Sequence, residues 1–183
     1  MKLYYRKTIS VIKTLWLSCL LAIAPLTFAE EYLSQQDFLA QTFDTRIPEV
    51  SMVWLKAEQK AVAQDIFGHP YRGLRIRYWL DETRSAWILE EIGKEKPIRF
   101  GVVVAGGKIE RLAVLAFNES RGWEIRHDFF TEQFSGLALT AEHKLSDHVD
   151  GITGATLSVR ASTAVARWAL YLDQLVRTAA DGQ

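Results

Sequence analysis

Ile98-Arg99-Phe100-Gly101-Val102-Val103-Val104-Ala105-Gly106-Gly107-Lys108-Ile109-Glu110-Arg111-Leu112-Ala113-Val114-Leu115-Ala116-Phe117 is the stretch on which the fold turns. Two apolar runs, Ile98 to Val104 and Ile109 to Phe117, flank Ala105-Gly106-Gly107-Lys108. Glycine tolerates the positive φ of a tight turn, so a β-hairpin is the economical reading. Neither a Gly-x-Gly-x-x-Gly nor a Gly-x-x-x-x-Gly-Lys-Ser/Thr pattern accompanies these glycines, which leaves them a turn rather than a phosphate loop.

Working upstream, apolar Leu74, Ile76, Tyr78 and Leu80 surround Arg75 and Arg77 in the pattern of a half-buried strand. Asp81 to Arg84 reads as a turn, Ser85 to Ile92 as the returning strand, and Gly93 to Pro97 as a second polar connection. Farther upstream, Ser34 to Phe43 has a cap and an apolar side made by Phe38, Leu39 and Phe43, so it predicts a short helix. Val50 to Leu55 reads as a strand and Lys56 to Phe67 as a helix. Downstream, no Pro or Gly interrupts the chain from Leu157 to Arg177 and on to Gly182, and Val165, Trp168, Leu172, Leu175 and Val176 recur at three- and four-residue steps. The expectation is an α+β fold: an antiparallel sheet of about four strands, covered by helices on one face, with a long C-terminal helix.

That helix is preceded by Asp150-Gly151-Ile152-Thr153-Gly154-Ala155-Thr156-Leu157-Ser158. Thr153 is the expected N-cap, which puts Thr156 in the first turn. Backbone N–H groups there lack intrahelical partners and the helix dipole is positive, a natural place for a phosphate. Gly151 and Gly154 permit unusual backbone angles and close approach. Thr153 and Ser158 offer hydroxyls to backbone or phosphate oxygens. The residues alone leave two readings open, a loop with a cap and a phosphate-bearing site.

Asp-x-x-Thr-Gly-Ala-Thr-x-Ser resembles the flavinylation motif of the FMN-binding domain family, which includes the FMN-carrying subunits of sodium-pumping NADH:quinone oxidoreductase and of Rnf complexes. Gly101 to Ile109 is similar to a strand and turn of the same domain, and the likeness extends over Ile98 to Leu172. The resemblance implies covalent FMN, moved by a flavin transferase from FAD onto the hydroxyl of Thr156 as a phosphoester. It implies that Asp150, Gly151, Thr153, Gly154, Ala155 and Ser158 make the signal which that enzyme reads and the loop that seats the phosphate. The implied role is electron carriage rather than free-standing catalysis, with a membrane reductase or an exported cytochrome as redox partner. Three alternatives stay open: a noncovalent FMN protein, a cofactor-free periplasmic binding module, and a small flavin reductase with its own turnover.

The 183 residues suit one domain. Lys2, Arg6, Lys7 and Lys13 lead into an uncharged, mostly apolar run from Thr14 to Ala29, followed by Glu30 and Glu31. This is the pattern of a secretory signal peptide over residues 1–29, with Thr27-Phe28-Ala29 at the cleavage site. The domain is then 30–183 and the location periplasmic or otherwise exported; a retained leader would instead anchor the chain to a membrane. Cys19 sits behind Trp16, Leu17 and Ser18, a poor lipobox. Taking four basic residues from 22 leaves 18 against 22 acidic ones, which lacks the footprint of a nucleic-acid binder. No cysteine follows Cys19, which excludes disulfides, thiolate metal sites and Cys-x-x-Cys-His haem attachment from the processed chain.

Trp123, Phe129, Phe130 and Phe134 could pack against an isoalloxazine ring, although core packing is the commoner use of such residues. His127, His143 and His148 read as solvated loop residues, and the five-residue spacing of the last two matches no zinc motif. No catalytic or metal-ligating residue is assigned.

Overall fold

The computed structural model describes residues 30–44 and 46–181. The expected leader, 1–29, lies outside the described residues. A six-stranded, wholly antiparallel sheet forms the centre, in the order β1-β6-β5-β4-β3-β2. Its strands are β1 (Glu30–Glu31), β2 (Val50–Trp54), β3 (Arg75–Leu80), β4 (Arg84–Ile92), β5 (Pro97–Ala105) and β6 (Lys108–Phe117). The helices are α1 (Gln35–Phe43), α2 (Ala57–Phe67), a short α3 (Asp128–Thr131) and the 26-residue α4 (Thr156–Asp181). The architecture is the expected α+β with a long C-terminal helix. Two strands widen the four-stranded core: β2 pairs with β3, and β1 pairs with β6 through Phe117 and Ala116.

The quoted hairpin closes as its glycines dictate. Gly106 and Gly107 have φ of 56° and 71°, the paired positive values of a type I′ turn, and Ala105 faces Lys108 across it. Apolar residues run almost unbroken along β5 because both of its faces are covered. Phe100, Val102 and Val104 join the larger core with Trp87, Ile109, Trp168 and Leu172, under α4 and α2.

The helices do not all lie on one face, as the sequence pattern had suggested. Phe38, Leu39 and Phe43 of α1 pack with Trp79, Ala86, Val103 and Leu115 on the opposite face. The physical reason is at Gly101: a Cβ there would lie 2.5 Å from the Phe38 ring, so the missing side chain is the seat of α1. Ser34 caps α1, its Oγ accepting from the Asp37 N–H at 3.1 Å.

Trp168 and Leu172 of α4 are fully buried, and Ala161, Ala164 and Ala169 let the helix approach the sheet closely. A polar chain crosses this interface. Trp87 Nε1 donates to Ser85 Oγ at 2.8 Å, Ser85 Oγ donates to Asp173 Oδ1 at 2.6 Å, and Arg177 Nε donates to the same oxygen at 2.9 Å. Asp173 is buried, and its Oδ1 accepts both of these bonds, the pairing that a buried charge requires. Among the described residues, no helix is long and apolar enough to cross a membrane.

Candidate functional site

The segment before α4 is held from several sides. Glu119, just after β6, accepts the N–H groups of Lys94, Glu95 and Lys96 at 2.6, 2.6 and 2.8 Å, tying itself to the β4–β5 turn. Burial opposes ionisation of Glu119, yet these three donors hold its carboxyl below the usual value. Gly122 follows at φ 86°, and the Cβ it lacks would press on Ser158 Oγ and come within 3.5 Å of Ala155 Cβ. The first turn of α4 therefore rests on a bare glycine backbone.

A 3-10 turn at Trp123–Arg126, α3 and a second 3-10 turn at Glu132–Phe134 come next. Ile125, Phe130 and Phe134 are fully buried and anchor this run. Trp123 and Phe129 are exposed, with His127 between them at ring distances of 5.3 and 6.1 Å. The Arg126 guanidinium lies 4.4 Å from the Tyr32 ring centroid and 5.0 Å from that of Trp123. The aromatic run thus divides, with Phe130 and Phe134 in the core and Trp123 and Phe129 at the surface.

The return loop is anchored by Asp150 N–H to Gln133 Oε1 at 2.7 Å, and by Arg167 Nε donating to the His143 carbonyl. His143, at φ 54°, is half-buried and edge-on to Tyr171 at 5.5 Å rather than solvated; His127 and His148 are exposed. Ala155 N–H bonds to the Ile152 carbonyl at 3.0 Å and Gly154 takes φ 85°, the third position of a type II turn. The Ala155 carbonyl then accepts the Val159 N–H at 3.0 Å. Ala155, not Thr153, is the N-cap: the left-handed Gly154 completes a turn before the helix begins, leaving Thr153 on the exposed corner two residues early.

Thr156 is consequently the first residue of α4, exposed, and its hydroxyl has no partner among the described residues. Gly151 and Gly154 are also exposed, and a Cβ on either would meet nothing within 4 Å. Asp150 is exposed, its carboxylate 3.7 Å from His148 Nε2. Ala155 and Ser158 are buried on the Gly122 side, and the Ser158 carbonyl accepts from Ser162 Oγ at 2.9 Å. The motif therefore splits into an outward group (Asp150, Gly151, Thr153, Gly154, Thr156) and an inward pair (Ala155, Ser158). Gly122 and Gln133, which fix that split, carry no local motif in the sequence.

One turn beyond Thr156, Arg160 lines a cavity of about 610 Å³ with His69, Tyr71, Arg72, Glu91 and Lys94. His69 Nε2 lies 2.9 Å from Oε1 of buried Glu91. That hydrogen bond raises the His69 pKa above 6.5, against a smaller opposing effect of burial. A raised folded-state value stabilises the fold fully below the unfolded pKa, and the gain is lost as pH rises through the folded value. His69 is nearly half exposed, so the effect is below about 1 kcal/mol. Urea unfolding of His69→Gln should show a larger deficit against wild type at about pH 5.5 than at about pH 8.5; equal deficits would remove the pair from the stability account.

Among the described residues, no group of three or more His, Cys, Asp and Glu side chains could hold a metal ion. No curated protein sequence matches the chain. A family model described as the FMN-binding domain matches residues 93–171, which runs from the turn gripped by Glu119, through the β5–β6 hairpin and the Thr156 loop, to Tyr171 on α4. The hairpin, the loop and the helix that holds Thr156 at its start are thus parts of an FMN-binding domain present in this chain.

Proposed function

We propose that the chain is an exported electron carrier that holds FMN covalently, through a phosphoester on Thr156. The observation that carries this reading is the exposed, unpartnered Thr156 hydroxyl at the first position of a 26-residue helix. The surroundings fit the group. The N–H groups of the first turn suit a phosphate anion, and open space above Gly151 and Gly154 leaves room for one. Gly122 packs on the same turn, and Leu157 on that turn, with Trp123 next to Gly122 in the chain and Phe129 after it, is exposed apolar surface of the kind a flat, amphipathic ring covers.

In loading, the Thr156 hydroxyl oxygen forms a bond to the FMN phosphorus of FAD as the diphosphate bond breaks; AMP leaves and the hydroxyl proton is released. A flavin transferase supplies that step. Asp150, Thr153 and Gly154 are the outward features for it to read, while Ala155 and Ser158 fix the pitch of the helix start. FMN supplies one- and two-electron chemistry when bound. Covalent attachment removes the dependence on affinity and free concentration that limits a dissociable cofactor outside the cytoplasm. Residues 1–29 serve as the export leader in this reading, and a membrane reductase or exported cytochrome exchanges the electrons.

Co-expression with and without a flavin transferase tests the proposal by flavin fluorescence in a denaturing gel. A fluorescent band that requires the transferase, persists in Thr156→Ser and vanishes in Thr156→Ala is expected. Flavin that leaves on denaturation, or a colourless chain beside a flavinylated control, would overturn it.

A further inference from the structure

The exposed edge of the sheet is built unlike a protected one. β2 reads Val50-Ser51-Met52-Val53-Trp54, with no charge or proline in it, whereas soluble proteins commonly guard an edge with one or the other. Val50, Met52 and Trp54 are 50%, 48% and 64% exposed and share one face of the strand.

Their backbone is open as well. The Leu55 N–H bonds to the Leu74 carbonyl at 3.0 Å, and the β2–β3 register continues that pairing as Val53 with Ile76 and Ser51 with Tyr78. Hydrogen-bonded and non-bonded pairs alternate in an antiparallel ladder, so the N–H and C=O groups of Val50, Met52 and Trp54 point away from β3, toward the open edge. The same three residues thus offer an apolar stripe and strand groups unpaired among the described residues.

The neighbouring charge is mainly basic: Glu90 lines the same cavity but is held by Arg99, and exposed Glu49 precedes the strand. On the stripe's face, α1 covers the sheet as far as Trp79, and Arg77 and Arg75 lie opposite Met52 and Trp54. Arg77 has no carboxylate partner among the described residues, and the Arg75 guanidinium leans to 5.5 Å from the Trp54 ring centroid. Arg99 is bound to Glu90 at 2.8 Å. Met52, Trp79 and Ile88 with these arginines line a cavity of about 740 Å³.

We propose that β2 is a strand-addition site for an acidic, extended segment of a protein partner. The segment pairs with Val50, Met52 and Trp54 as a seventh strand and sets carboxylates against Arg75 and Arg77. A second copy of the chain fits less well: it would bring its own arginines to the seam, and pairing of five-residue edges falls short of the roughly 1,200 Å² typical of a stable interface. A lipid surface would leave the outward backbone groups unpaired. The inference is independent of flavin attachment.

The test uses the full chain and synthetic peptides of about ten residues, alternating Val with Glu or Val with Lys. Binding is read by calorimetry and Trp fluorescence. The Val-Glu peptide should bind and the Val-Lys peptide should not. Met52→Pro removes an outward N–H that β3 does not use, so the fold should persist by circular dichroism while binding falls about tenfold. Arg75→Glu combined with Arg77→Glu should reverse the peptide preference. Failure of both peptides to bind, or binding indifferent to Met52→Pro, would overturn the proposal. A sedimenting dimer lost in Met52→Pro would assign the edge to a second copy instead. Binding to phosphatidylglycerol vesicles that needs the arginines but not the Met52 N–H would assign the face to lipid.

Discussion

Gly122→Val should destabilise the protein by about 2–5 kcal/mol and suppress flavin loading at Thr156, two losses with one cause. At φ 86° a β-branched side chain is strained whatever room it has. There is little room here, because its Cβ would press on Ser158 Oγ and on the Ala155 and Ser158 Cβ atoms, at 3.5 and 3.3 Å. Ser158 is buried and cannot swing freely outward. The first turn of α4 must move, and with it Thr156 and the Ile152–Ala155 turn. Denaturant unfolding and flavin content of the same preparation measure both effects. Unchanged stability with full loading would show that the Gly122 contact does not set the helix start.

Asp173→Ala is expected to cost about 2–4 kcal/mol, since it leaves buried Ser85 Oγ without an acceptor and Arg177 without its counter-charge. Two features set the size. Asp173 is 1% exposed, which favours the upper end, but the Arg177 side chain is 30% exposed and can turn to water. Asp173→Asn keeps an oxygen for Ser85 and should cost less. Thermal or urea unfolding of both variants gives the comparison; equal losses would mean that the charge rather than the Ser85 acceptor dominates. The Thr156 site is far along α4 from this clamp, so loading of the folded fraction should be unchanged.

The parts of this fold that were legible in the sequence are those fixed by local chemistry. Gly106-Gly107 between apolar runs dictates the β5–β6 turn, Ser34 dictates the start of α1, and the Val165, Trp168, Leu172 spacing dictates the buried face of α4. What was not legible depends on distant partners. β1 is two glutamates in register with Phe117 and Ala116, too short a run for any alternation in the sequence to betray it. The second face of the sheet needed Phe38 to meet Gly101, and the His69–Glu91 pair joins residues 22 apart. Thr153 looks like a cap because capping residues are polar and small, but the φ of Gly154 moves the helix start to Thr156. Around Trp123 to Phe134 the chain changes from 3-10 to α to 3-10 within a few residues. No single periodicity separates the buried Phe130 and Phe134 from the exposed Trp123 and Phe129.

Within the candidate site, the motif marks Thr156, Gly151 and Gly154 in the sequence, and the structure leaves all three exposed. The division between outward and inward members was not, because it is imposed by Gly122 from 34 residues upstream of Thr156.

The central claim is that Thr156 itself bears the flavin. Intact-mass spectra of the chain produced with an active flavin transferase, followed by fragmentation of the peptide spanning Asp150 to Arg160, test it most directly. The account predicts a single added FMN, with the mass increment localised to Thr156 and absent from Thr156→Ala. An unmodified Thr156 in the flavin-loaded protein, or an increment that survives Thr156→Ala, would contradict it.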